Sequence, residues 1–91
     1  MAPRPDNFTC AAMLMAYAGA ARDGDIAYDE ELVPTSLMSV MYHLNAWAMP
    51  QDIREPDAFA QVQEEADRMR AVMSEEELVD YARWCVENKP S

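Results

Sequence analysis

Thr35-Ser36-Leu37-Met38-Ser39-Val40-Met41-Tyr42-His43-Leu44-Asn45-Ala46-Trp47-Ala48 is the stretch whose reading decides the fold. Leu37, Val40, Met41, Leu44, Trp47 and Ala48 recur at steps of three and four, the spacing that puts side chains on one face of an α-helix. Pro50 closes this helix, because proline has no N–H to donate and its ring collides with the preceding turn. Between Val33 and Gln51 there is no Asp, Glu, Lys or Arg. A helix without charges is largely enclosed, and its Ala and Ser positions let a neighbouring helix come close.

Towards the N-terminus, Asp6 or Asn7 caps a first helix that runs from Phe8 through Ala18 and ends at Gly19 or Gly24. It is apolar on every side, which makes it the central helix of the domain or leaves one face for a partner. The first reading is expected. A short turn over Glu30 to Val33 precedes Pro34. Residues 1–5 are expected as a flexible N-terminus.

Towards the C-terminus, Gln51 to Pro56 is a polar link, and Pro56 suits the first position of a helix from Asp57 to about Met73. Phe59, Val62, Ala66, Met69 and Val72 are expected inward, with Glu64→Arg68 and Asp67→Arg70 as surface pairs. Ser74 followed by Glu77 is a capping box. The fourth helix starts there, carries Leu78, Tyr81, Ala82 and Cys85 inward, and stops at Lys89 and Pro90. The 91 residues are therefore expected to form one all-α domain, either a small four-helix bundle or an orthogonal helical domain.

Apolar types make up 51% of the chain and charged types 26%, enough for a core. Two glycines and few β-branched runs leave little material for hairpins. The formal charge of −10 opposes nucleic acid and anionic lipid, whose binding rests on Lys and Arg. No direct nucleic-acid contact is expected, and no segment has the length of a membrane span. The N-terminus lacks the layout of a signal peptide, so the expected location is the cytoplasm.

That location predicts free, buried thiols at Cys10 and Cys85. Cys10 in the first turn of its helix, with His43 as base, is the only combination resembling nucleophilic chemistry. It stands in no cysteine-enzyme signature, and a lone His on an apolar helix reads as a hydrogen-bonded core residue. Neither an enzyme nor a bound metal or cofactor is expected. Met13, Met15, Met38, Met41 and Met49 are expected to fill the core.

Asp23, Gly24, Ile26 and Glu30 resemble part of an EF-hand loop, falling where that family places a carboxylate, its turn glycine, a hydrophobic residue and its closing glutamate. Gly19 and Ala21 stand where the first ligands belong and supply no side-chain oxygen. Calcium binding is therefore not expected, and the segment reads as a solvated turn with Ile26 and Tyr28 tucked inward.

The acids are the strongest functional signal. Asp23, Asp25, Asp29, Glu30 and Glu31, with Glu75, Glu76 and Glu77, have almost no basic sequence neighbours. Sharing one side of the bundle, they would imitate a run of phosphates. The expected function is a small non-enzymatic protein that binds a larger protein with a basic, nucleic-acid-handling surface and inhibits it. By analogy of size and charge alone, this is the type of phage anti-defence and anti-CRISPR proteins. The alternative is an adaptor that self-associates as a homodimer or binds a partner helix through the apolar faces of helices 1 and 2.

Overall fold

The computed structural model describes residues 6–88. The N-terminal residues 1–5 and the stop at Lys89 and Pro90 lie outside the described residues. Four helices, α1 (Asn7–Arg22), α2 (Leu32–Ala48), α3 (Glu55–Val72) and α4 (Glu75–Glu87), make an all-α domain, with a short 3-10 turn at Met49–Gln51 after α2.

Local chemistry fixes the ends of α1. The Asp6 carboxylate accepts from Thr9 N–H at 2.8 Å, which satisfies one of the donors that a first turn leaves open. The helix runs past Gly19 and stops at Gly24, whose φ of 81° is a conformation that glycine adopts without a Cβ clash. There Gly24 N–H donates to Ala21 O and Asp25 N–H to Ala20 O, the paired bonds of a Schellman stop.

The start of α2 differs from the expected Thr35 or Ser36 by about a turn. The turn that leads into it is held by Asp29, whose carboxylate accepts from Glu31 and Leu32 N–H at 2.9 and 2.8 Å. Pro34 lies in the first turn, where its missing N–H has no helical partner to lose. The capping box of α4 forms as expected: Ser74 Oγ accepts from Glu77 N–H, and Glu77 Oε1 accepts from Ser74 N–H.

Helix α1 is the hub, in contact with α2, α3 and α4, while α2 and α3 touch little. Cys10, Ala11, Ala12, Leu14, Ala16, Tyr17, Ala18 and Ala20 are all buried, so α1 has no solvent stripe over most of its length. Its alanines keep its radius small, which lets three helices approach one axis. From the others come Val33, Val40 and Leu44 of α2, Ala58, Val62, Ala66 and Met69 of α3, and Leu78, Ala82 and Cys85 of α4. Ser36 and Ser39 are buried on the α2 face, as their small size suggested.

Several expected core residues lie elsewhere. Leu37, Met41, Phe59, Tyr81 and Val72 are exposed, and so are Met38 and Met49. Core filling therefore holds for Met13 but not for Met38, Met41 and Met49. The reason is phase: the buried stripe of α3 is Ala58, Val62, Ala66 and Met69, and that of α2 includes Val33, Ser36, Val40 and His43. Close approach selects the smaller residues and turns the larger ones outward. In the connector Ile26 is half-buried, but Tyr28 faces solvent.

Candidate functional site

Folding brings the connector onto the junction of α3 and α4. Glu75 Oε1 accepts from Ala27 N–H at 3.0 Å across 48 residues, so the two acidic segments share one end of the bundle. Arg70, near the end of α3, donates to Asp23 Oδ2 at 2.8 Å and to Asp25 Oδ2 at 2.5 Å. The expected Asp67→Arg70 and Glu64→Arg68 pairs give way to this contact and to an Arg68–Glu65 pair, with Asp67 accepting from Gln63 instead. Gly19 makes room for the cation: a Cβ there would stand 3.3 Å from Arg70 Nη1.

The eight acids thus divide by role. Asp25 and, less strongly, Asp23 hold Arg70 and raise its pKa, while Asp29 holds the turn that leads into α2 and lies 3.9 Å from Arg83. Hydrogen bonds from Leu32 and Glu31 N–H, in that order, pull the Asp29 carboxyl below its ordinary range, with Arg83 adding to the shift. Glu75 anchors Ala27, and Glu77 completes the capping box. Glu30, Glu31 and Glu76 are exposed, with no side-chain hydrogen bond or ion pair among the described residues. Beneath this end, burial pushes the Tyr17 phenol above its usual pKa, and the Asp29 charge pushes in the same direction.

The resemblance to a calcium loop gains nothing from the fold. Gly19 and Ala21 are helical residues within α1, and the Asp23 carboxylate is taken by Arg70.

At the opposite end the expectation of free thiols is overturned. Cys10 in the first turn of α1 and Cys85 in the last turn of α4 form a disulfide across 75 residues, with Cα atoms 5.5 Å apart and both residues fully buried. Distance along the chain gave no hint that the two turns meet in space. His43 lies beside the bridge: Nε2 is 3.0 Å from the Cys85 carbonyl oxygen and Nδ1 is 2.9 Å from Asn7 Oδ1. Its ring thus joins α1, α2 and α4, as a core histidine should. With the bridge formed, Cys10 offers no thiol for His43 to activate.

Between α2 and α3, which α1 holds apart, runs an open groove of about 410 Å³. Its floor is Met15, Ala16 and Gly19; its walls are Leu37, Val40 and Met41 on one side and Phe59, Gln63 and Ala66 on the other. Arg22, Asp23, Asp67 and Arg70 close the end nearest the connector. No protein-family model, curated protein or solved structure matches the chain, so function is read from these surfaces alone.

Sequence reasoning missed the groove and both arginines of the acidic end. Arg70 and Arg83 carry no signal, since their partners lie 45 or more residues away. The groove did leave one: Leu37, Met41 and Phe59 sit one step off the stripes of smaller residues that reach the core.

Proposed function

We propose that this protein is a non-enzymatic binder whose acidic end engages a basic, nucleic-acid-handling surface on a larger protein and blocks it. The observation that carries this reading is the Ala27–Glu75 hydrogen bond, which joins the connector to the start of α4 so that their carboxylates form one surface. Even with Arg70 and Arg83 set against them, carboxylates exceed cations there. A concentrated negative field steers a basic partner and competes with phosphates for it. Inhibitors that phages direct at bacterial defences, anti-CRISPR proteins included, are one type of this function. The cytoplasmic setting expected from the sequence belongs to this proposal, but a bonded Cys10–Cys85 pair favours an oxidising compartment.

The test uses the three acids that hold nothing in place. A Glu30→Lys, Glu31→Lys, Glu76→Lys variant should fold normally, because exposed substitutions of this kind cost little stability. Captured partner should be lost by this variant, weakened by salt, and displaced by nucleic acid. Retention by the triple variant would reduce the acids to a solubilising coat. A second reading, the adaptor, is favoured by one observation: α2 exposes Leu37 (42%), Met41 (41%) and Met38 (76%) in a stretch without charge.

A further inference from the structure

We infer that the groove between α2 and α3 is a receptor for an amphipathic helix of a partner protein, apolar along one face and basic on the other. This inference rests on the adaptor reading and makes it specific. Its first support is unmet burial: Leu37, Met41 and Phe59 stand at helical spacing with the core residues, yet remain 42%, 41% and 47% exposed, and all three line one groove. Isolated exposed apolar side chains need no explanation, whereas three converging on a concave surface mark a binding site.

The shape suits a helix. Along α3, the groove extends from Phe59 to Arg70, eleven helical steps, or about 16 Å at 1.5 Å per residue. That is about three turns, enough for apolar anchors at i, i+4 and i+7. Ala16 and Ala66 keep the channel open, because neither sends a long side chain into it. Met15 and Met41 supply adaptable walls, suited to more than one anchor shape.

The charge of the occupant follows from the chain as a whole. The closed end is balanced, with Arg22 and Arg70 lining it beside Asp23 and Asp67, and Arg70 is already engaged by Asp23 and Asp25. A second copy of the chain would bring a formal charge of −10 against the same charge, so a basic helix is the complementary occupant.

The test titrates isotope-labelled, oxidised protein with synthetic peptides of about 18 residues: a Leu/Lys amphipathic helix, a Leu/Glu helix of the same pattern, and a Lys peptide with Ser in place of Leu. The Leu/Lys peptide should shift resonances of Met15, Met41, Phe59 and Ala66, and the Leu/Glu peptide should not. Met41→Ser with Phe59→Ser changes side chains that are already partly exposed, and circular dichroism checks that the fold holds. This variant should bind the Leu/Lys peptide about tenfold more weakly or worse. Equal binding of the Ser-containing Lys peptide, or no loss in the double variant, overturns the groove. Shifts confined to Met38 and Met49 overturn it while leaving the adaptor reading intact. Concentration-dependent dimerisation that the double variant abolishes also overturns it, assigning the face to a second copy. If no peptide shifts any apolar residue and the protein stays monomeric, the adaptor reading falls as well.

Discussion

At one end of the bundle a disulfide and the His43 ring join α1, α2 and α4 inside the core, whereas at the other the connector is held by Arg70, Arg83 and backbone caps on the surface. Buried contacts are little screened by salt and exchange slowly with water; exposed ion pairs contribute roughly 0–1 kcal/mol each and weaken as salt rises. The covalent end therefore fixes where the helices stand, and the ionic end is left able to trade partners. The groove ends at that ionic end, where Arg22, Asp23, Asp67 and Arg70 close it. Binding surfaces are commonly drawn from the less stable part of a fold, and the proposed occupant of the groove would meet the fold where local rearrangement costs least.

The largest test of this contrast is reduction. A cross-link spanning 75 residues restricts the unfolded chain strongly, so its loss should lower stability by about 4 kcal/mol on the loop-entropy model. Urea midpoints with and without reductant, or of a Cys10→Ala, Cys85→Ala variant, measure it. An unchanged midpoint would mean that the two ends are held by equal means.

A smaller loss is expected at the ionic end. Ser74→Ala removes the oxygen that accepts from Glu77 N–H and should cost about 1 kcal/mol. Combined with reduction, the two losses should add, because the sites lie at opposite ends of the fold. A clear departure from additivity would show that the ends communicate.

The smallest effect is one of pH. Because the folded Asp29 carboxyl titrates below its ordinary value, its contribution is fully present above the unfolded pKa and is lost as pH falls through the folded pKa. Glu31 and Leu32 amide resonances should therefore move at a pH lower than that of an ordinary aspartate. Movement at the ordinary value would mean that Asp29 does not hold the turn leading into α2. The disulfide has no proton to gain, so it should remain unaffected over the same range.

Much of the fold was legible because its signals are local. The Asp6 cap, the Ser74–Glu77 box and the glycine stop each need only neighbours within a few residues, and each forms. Likewise the spacing of Leu37, Val40, Met41, Leu44 and Trp47 marked α2 correctly as a helix, and apolarity on all sides marked α1 as the centre. The absence of charge from Val33 to Gln51 did not enclose α2, however, since Leu37, Met38, Met41 and Tyr42 are exposed. Side-chain periodicity was less reliable. It indicates which residues share a face of a helix, but where small and large apolar residues compete, the neighbouring helix chooses between adjacent stripes. On α3 it chose Ala58 over Phe59 and left Val72 exposed, while Val62, Ala66 and Met69 face inward as expected.

By itself, then, the sequence determined four helices, the N-terminal caps of α1 and α4, a central α1 and an excess of carboxylates, since all of these follow from residue type and short-range spacing. Tertiary structure alone decided that Cys10 meets Cys85, that Arg70 reaches over Gly19 to Asp23 and Asp25, and that Leu37, Met41 and Phe59 converge on one groove. Each of these joins residues far apart in the chain. Such meetings depend on how helices cross and rotate against one another, and close packing around the alanines of α1 sets that geometry.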